Sequence, residues 1–82
     1  MSTPRNAMQE VSPKLAELTA DMLFGDVWER SELSKRDRSL ITVANLVALY
    51  RTDQLRGHIG RALDNGVTKS EISEVILHTT MY

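Results

Sequence analysis

An almost uninterrupted apolar run in the middle of the chain constrains the fold more than any other feature. It reads LITVANLVALY, from Leu40 to Tyr50, and leaves a helix almost no polar face. A helix that is apolar on all sides must be covered on all sides. A chain of only 82 residues has few other helices to do this, because small domains bury only about 60% of their unfolded surface. The run therefore predicts a homo-oligomer, in which a partner subunit supplies the second cover.

A membrane segment is the other explanation for such a run, and its length argues against it. A helix needs about 20 apolar residues to cross a bilayer, and Asn45 interrupts this shorter run at its centre. The N-terminal residues MSTPRNAMQEVSP lack the apolar segment of a secretory signal. The chain has no cysteine, which excludes disulfides, thiolate metal sites and cysteine nucleophiles. We expect a cytoplasmic protein with no membrane partner.

Basic and acidic side chains are nearly balanced. The chain has 10 Lys and Arg against 11 Asp and Glu, for a formal net charge of -1. Nucleic-acid binding normally requires a broad basic field. Lys35, Arg36 and Arg38 lie close together, but Asp37 interrupts them, and Lys35 and Arg36 are most simply the solvated first turn of a helix. A nucleic-acid partner is not expected.

The N-terminal part of the chain contains one helix signal. Residues 1–12 are polar and show no sustained hydrophobic period, which predicts a loose arm. Ser12 can cap a helix that has Pro13 at its first position, and Gly25 offers a natural stop. Trp28, in the connection that follows, is most simply an anchor that folds this connection onto the helices. A place in a ligand pocket is the alternative.

Capping signals predict three further helices. Ser34 can cap the second, which contains the apolar run. Either Thr52 or Asp53 can cap the third, and Gly66 can end it in the left-handed conformation. The fourth opens with a capping box over residues 68–71. With no convincing strand signal, the predicted class is all-α, a small bundle of about four helices.

His58 is the most unexpected residue of the third helix. Leu55, Ile59, Ala62 and Leu63 form its predicted buried stripe, and His58 falls on the same stripe. A group that changes charge near neutral pH is unusual there. Two interpretations stay open, a packed imidazole with one hydrogen bond and a catalytic residue.

The second histidine has a simpler explanation. His78 follows Glu71 and Glu74 along one flank of the fourth helix, where a surface ion pair explains it. A metal site would need both histidines to converge, and their separation of 20 residues on different helices is no recognised ligand spacing. We therefore predict no metal site. The chain also lacks a glycine-rich phosphate loop and a serine nucleophile motif.

Four short motifs in fixed order cover much of residues 28–82. They are Leu-Ser-x-Arg-Asp-Arg-Ser-Leu at 33–40, Gln-Leu-Arg-Gly-His at 54–58, Ala-Leu-Asp-Asn-Gly-Val-Thr at 62–68 and Glu-Ile-x-Glu-Val-Ile-x-His at 71–78. Together they resemble the carboxymuconolactone decarboxylase family, which shares its fold with alkylhydroperoxidase D. The resemblance implies one alkylhydroperoxidase D-like helical domain, over residues 13–82, that assembles as a trimer or hexamer.

The resemblance also implies a reaction. Decarboxylases of this family act without a cofactor on a cyclic lactone that carries a carboxylate, in the protocatechuate branch of aromatic catabolism. Such a site needs cations to hold carboxylates and a general acid to protonate carbon. His58 is the candidate acid, and Arg38 and Arg51 are the candidate carboxylate ligands. Arg51 precedes His58 by seven residues, two helical turns along roughly the same face.

The chain departs from relatives of the peroxidase type. Those relatives have a Cys-x-x-Cys pair where this chain has Arg51 and Gln54, and their proton-relay glutamate corresponds to Ser39. Disulfide-based peroxide reduction is therefore excluded for these residues. The family pattern continues past Tyr82 with a Gly- and Pro-containing segment and a further helix, so we expect a chain shorter than a complete family domain. The alternative to an enzyme is a non-catalytic helical oligomer of the same fold, with His58 as a packed core residue.

Overall fold

The structure, a computed structural model, describes the backbone of residues 4–82 and the side chains of residues 8–82. Across these residues it contains helices and no strand, so the predicted all-α class is confirmed. The chain divides into two compact units, one ending at Glu32 and the other formed by Leu33–Tyr82. Within the described residues, no helix has both the length and the apolar character that crossing a bilayer requires.

The first unit begins with a helix that the sequence did not predict. Helix α1 spans Pro4–Val11, where the missing hydrophobic period had predicted a loose arm. Its proline lies at the first helical position, where the absent N–H does no harm, and Val11 is 86% exposed. Of the four described side chains of this helix, only Met8 is half-buried and the other three are exposed, so there is no sustained hydrophobic period to reveal the helix. The start of the predicted arm, residues 1–3, lies outside the described residues.

The predicted first helix is present but changes type along its length. Helix α2 spans Pro13–Leu18 and continues as a π-helical segment, Thr19–Phe24. Ser12 precedes it but makes no side-chain capping hydrogen bond, so that capping prediction was wrong. The segment ends at Gly25, where a Cβ would come within 2.7 Å of the Asp21 carbonyl oxygen.

A short 3-10 turn, Val27–Glu29, completes the first unit. It carries Trp28, which is buried. The Trp28 ring lies 6.0 Å from the Phe24 ring, a separation typical of packed aromatic pairs. These contacts agree with the interpretation of Trp28 as an anchor.

The second unit contains three helices around one small core. They are α3 (Lys35–Ala48), α4 (Thr52–Asp64) and α5 (Lys69–Met81). Helix α3 packs against both α4 and α5. The buried core consists of Val43, Ala62, Val67 and Ile72, surrounded by the half-buried Leu40, Val47, Leu55, Ile59, Val75 and Ile76. Helix α3 thus has the central position that its apolar run predicts.

Helix α3 is only partly covered within this chain. The Ser34 hydroxyl accepts a hydrogen bond from the Asp37 amide at 3.0 Å, which confirms the predicted cap. Val43 and Leu46 are buried, but Ile41 is 49% exposed and Leu49 63% exposed. The apolar run therefore leaves a second face open.

The connection from α4 to α5 follows the predicted local signals. Gly66 has a φ of 94°, and the Val67 amide donates to the Ala62 carbonyl at 2.9 Å, the bond that closes a Schellman motif. The Glu71 amide then donates to the Thr68 hydroxyl at 3.1 Å, and the Thr68 amide donates to the Glu71 carboxylate at 3.0 Å. The predicted capping box is confirmed.

Candidate functional site

His58 lies at the edge of the core, on α4. Its side chain is half-buried, beside the half-buried Leu55 and Ile59 that pack on the core. Partial burial lowers the pKa of His58 below its ordinary value of 6.5, and the positive charge of Arg61 lowers it further. Both causes disfavour the imidazolium form. At pH 7 the free protein therefore holds His58 mainly as a neutral imidazole.

Arg51 is the residue that joins α3 to α4. Its amide donates to the Leu46 carbonyl at 2.8 Å, and its own carbonyl accepts from the Leu55 amide at 3.0 Å. It occupies the N-cap position of α4 and makes no side-chain capping hydrogen bond. The prediction that Thr52 or Asp53 caps α4 was therefore wrong, because the end of α3 and the start of α4 share this residue.

The start of α4 has the properties of an anion site. The first amides of a helix lack intrahelical partners, and the helix dipole places partial positive charge there. The exposed side chain of Arg51 adds a full positive charge at the same end. Asp53 in the first turn opposes this charge. Negative charge near this end is favoured by both the guanidinium and the helix dipole.

Arg38 lies on the neighbouring helix, α3. It is half-buried, and its Nε atom is shielded from solvent. Its amide donates to the Ser34 carbonyl at 3.0 Å, and its carbonyl accepts from the Thr42 hydroxyl at 2.7 Å. The structure thus places Arg51 and His58 on one helix and Arg38 on the helix packed against it.

Ser39 has a structural role. It is 2% exposed, and its hydroxyl accepts a hydrogen bond from the Asn65 side-chain amide at 3.0 Å. Asn65 is the C-cap of α4, so the bond ties α3 to the turn between α4 and α5. Ser39 is therefore used here for packing between α3 and the turn after α4.

A concave surface lies between α3 and α5. It is an open cleft of about 490 Å³, lined by Leu40, Ile41, Ala44, Glu71, Glu74, Val75, His78 and Thr79. The three predicted site residues are not among its lining residues. Two carboxylates make it a poor place for a carboxylated ligand, because like charges repel.

One carboxylate of this cleft forms an ion pair that the sequence did not reveal. Glu71 pairs with Arg36 of α3. The Thr68 amide lowers the pKa of the Glu71 carboxyl, and the Arg36 hydrogen bond lowers it further. Arg36 lies in the first turn of α3, as predicted, but it is half-buried in this pair and is not simply solvated. A capping box on α5 and a basic first turn on α3 were the available signals, but only helix packing brings them together.

His78 has a different neighbour from the one expected. Its ring lies 4.9 Å from the Tyr82 ring. Among the described residues it forms no ion pair with Glu71 or Glu74, so the interpretation of His78 as half of a flank ion pair was wrong. Residues four apart on a helix can form ion pairs, and the same spacing brings the His78 and Tyr82 rings together.

Sequence comparisons identify the family. The profile of the carboxymuconolactone decarboxylase family matches residues 13–82. The chain is 49% identical over 59 residues to the 4-carboxymuconolactone decarboxylase of Acinetobacter baylyi, covering 72% of this chain and 44% of that protein. It is 34% identical over 80 residues to the nitrosuccinic acid decarboxylase of Metarhizium robertsii, covering 94% of this chain and 56% of that protein.

A third relative is Peroxisomal protein 2 of Schizosaccharomyces pombe, 37% identical over 67 residues, which are 80% of this chain and 32% of that protein. The chain thus spans about half the length of the two decarboxylases, 44% and 56%. No solved structure matches it. Because the family profile covers all but the first residues, the recognition from motifs is confirmed, and the chain belongs to the carboxymuconolactone decarboxylase family.

Proposed function

We propose that this chain forms the helical core of a cofactor-independent decarboxylase that acts on a small carboxylated lactone. Two relatives are named as decarboxylases, one of 4-carboxymuconolactone and one of nitrosuccinic acid. Both names describe small molecules with carboxyl groups, and the proposal assigns that substrate class to this chain. A role in aromatic catabolism is part of the proposal, as the motif resemblance implies.

The observation that carries the proposal is the placement of Arg51 and His58 on one helix. Arg51 lies at the positive end of α4, and His58 follows two turns later, roughly 10 Å along the helix axis. The proposal places the carboxylate at Arg51 and the reacting carbon beside His58. Arg38 on α3 is the second candidate for holding a carboxylate.

The chemical step needs only groups that this chain carries. The bond between the ring carbon and the carboxylate carbon breaks, carbon dioxide leaves, and the electron pair moves into the conjugated lactone carbonyl. The His58 imidazolium then gives its proton to carbon, and the neutral imidazole takes a new proton from solvent. Positive charge on the arginines stabilises the electron-rich intermediate.

The lowered pKa of His58 links substrate binding to this proton transfer. In the free protein the imidazole is mainly neutral at pH 7, and a neutral imidazole cannot act as the acid. A nearby carboxylate favours the imidazolium form. Binding of a carboxylated substrate is therefore what places the proton on His58.

A turnover assay with paired histidine variants tests the proposal. The chain has two histidines, so His78→Asn provides a matched control for His58→Asn. With 4-carboxymuconolactone as substrate, we expect carbon dioxide release by the wild type and a kcat about 10²–10⁴-fold lower in His58→Asn. His78→Asn should stay within about twofold, because His78 lies on α5 and has no part in the proposed proton transfer.

Two results would count against the proposal in different ways. No turnover by the folded wild type would remove the decarboxylase function for this substrate. Equal turnover by His58→Asn and the wild type, with equal melting temperatures, would remove the role of His58.

We also propose that copies of this chain assemble as a trimer or hexamer. The supporting observation is the open apolar face of α3, where Ile41 and Leu49 are exposed. Burying such a face against another subunit is favourable by about 25 cal/mol per Å² of apolar surface. A cytoplasmic location belongs to the same proposal and rests on the sequence.

A further inference from the structure

Tyr50 has a backbone conformation that its residue type disfavours. Of the described residues other than glycine, it alone has a positive φ, of 57°. Side chains with a Cβ are crowded in this left-handed region, and an aromatic residue has no local hydrogen bond to compensate for it. A specific reason is needed for a tyrosine at this position.

The motif around Tyr50 shows why the backbone needs this conformation. The Tyr50 amide donates to the Val47 carbonyl at 3.2 Å, and the Arg51 amide donates to the Leu46 carbonyl at 2.8 Å. These two bonds form a Schellman motif, which requires a left-handed residue after the helix. The motif explains the backbone and leaves the side chain unexplained.

Helix α4 provides an internal comparison, because it ends with the same motif. There the left-handed residue is Gly66, with a φ of 94°. Its amide donates to the Leu63 carbonyl at 3.1 Å. Glycine is the residue that this position favours. The left-handed position is thus occupied by glycine in the motif after α4 and by tyrosine in the motif after α3.

Packing within the chain does not account for the tyrosine ring. The Tyr50 side chain is 89% exposed, and that of its neighbour Leu49 is 63% exposed. Residues in sparsely populated backbone regions cluster at sites where a ligand uses them. The exposed ring is therefore available for a contact outside the packed core.

The place of Tyr50 in the chain indicates what that contact is. It directly precedes Arg51, whose backbone is fixed on both sides by hydrogen bonds to α3 and α4. A guanidinium holds a carboxylate, and an aromatic ring stacks on a planar ring. A carboxylated planar ring is the ligand that uses both groups.

We propose that Tyr50 contacts the ring of the bound substrate and selects for carboxylated rings over carboxylates that lack one. This inference rests on the proposed function and adds a specificity residue to the same site. The phenol supplies contact area with the ring, while Arg51 supplies the charge. The left-handed backbone persists because the side chain is needed at this point.

The experiment compares two probes of equal charge, benzoate and acetate, by NMR chemical-shift titration. The wild type should bind benzoate about three- to tenfold more tightly than acetate, as one aromatic contact allows. Tyr50→Phe should keep this ratio, and Tyr50→Gly should reduce it to about one. Arg51→Gln should weaken the binding of both probes.

The chain offers a matched control, since its other tyrosine, Tyr82, is 97% exposed. Tyr82→Gly removes the same ring and should keep the wild-type ratio. Tyr50→Gly should fold, because glycine suits the left-handed position, and its melting temperature checks this.

The inference is overturned if the wild type binds both probes equally or if Tyr50→Gly keeps the wild-type ratio. If Tyr50→Gly keeps the wild-type ratio and also changes the mass of the assembly, the inference is overturned in favour of a ring that lies between subunits. Benzoate selectivity without turnover of the lactone would contradict the proposed function and leave the role of Tyr50 standing.

Discussion

At the scale of single residues, the two ends of α3 differ in how well the residue type suits the local backbone conformation. Ser34 begins the helix with a side-chain cap at 3.0 Å, the arrangement that its residue type favours. Tyr50 ends it with a φ of 57°, which its residue type disfavours. Positions where local preference and structure disagree are expected at functional sites.

Tyr50→Gly should therefore stabilise the folded chain. Relief of the left-handed strain contributes about 1–2 kcal/mol, and the greater freedom of glycine in the unfolded chain removes about 0.4–1 kcal/mol. We expect the free energy of unfolding to rise by about 0.5–1 kcal/mol, measured by urea denaturation. Tyr50→Val should lower it, because a β-branched residue is an outlier at positive φ. A less stable glycine variant would show that the ring stabilises the fold.

The residue scale also shows where sequence reasoning succeeds. The caps at Ser34 and Thr68 and the left-handed Gly66 are local features, set by hydrogen bonds within a few residues. The assignment of Arg51 as N-cap of α4 is local too, but it depends on how α3 ends. Two helices that share one residue leave Thr52 and Asp53 inside α4, and residue preferences alone cannot show this.

At the scale of elements, Glu71 connects α5 to α3. Its carboxylate accepts from the Thr68 amide at 3.0 Å and also pairs with Arg36. One side chain thus caps α5 and fixes it against α3. The packing of α5 against α3 therefore depends in part on the negative charge of Glu71.

Removing that charge should change the dependence of stability on pH. The pKa of Glu71 is lowered in the folded chain from an ordinary value of 4.5, so its contribution is present above that value and is lost as pH falls through the folded pKa. At pH 7 we expect Glu71→Gln to unfold at a lower urea concentration than the wild type. The difference should be smaller at a pH well below 4.5, because the glutamate takes up its proton as the pH falls through its lowered pKa.

Glu74→Gln is the matched control for this prediction. Glu74 lies on the same flank of α5, is exposed, and pairs with no described residue. Its urea midpoint should match that of the wild type at both pH values. Equal midpoints for Glu71→Gln and Glu74→Gln at pH 7 would show that the pair with Arg36 does not hold the helices together.

The contacts between helices could not be predicted from the sequence. Helical periods correctly placed Ala62 in the core and Leu55 and Ile59 against it, because burial follows the period of a helix. Leu63, the fourth residue of that predicted stripe, is 38% exposed. The Arg36–Glu71 pair joins residues 35 positions apart and depends on how α3 packs against α5. Helix α1 was missed because Met8 is the one half-buried residue among its described side chains, which is too little for a hydrophobic period.

At the scale of the whole molecule, the described chain leaves much apolar surface uncovered. The large apolar side chains that are at least half exposed include Val11, Leu15, Met22, Leu49, Leu77 and Met81. Several are on helices that have only one packed side. Burial in an assembly is the simplest way to remove this surface from water.

Sedimentation should accordingly find an assembly larger than a monomer at micromolar concentration. Ile41→Gln tests the face of α3, because glutamine keeps helix propensity while removing apolar surface. We expect this variant to shift the distribution towards smaller species and to keep its helical circular-dichroism spectrum. A wild-type chain that stays monomeric and folded would contradict the assembly proposal.

The central claim is that Arg51 and His58 form one site for a carboxylated ring, and NMR titration of the two histidine rings tests it most directly. In the free protein the pKa of His58 should lie below 6.5. Saturating benzoate should raise that pKa, should have no such effect in Arg51→Gln, and should leave the ring resonances of His78 in place. A His58 pKa that benzoate does not move, or that it raises equally in Arg51→Gln, would contradict the claim.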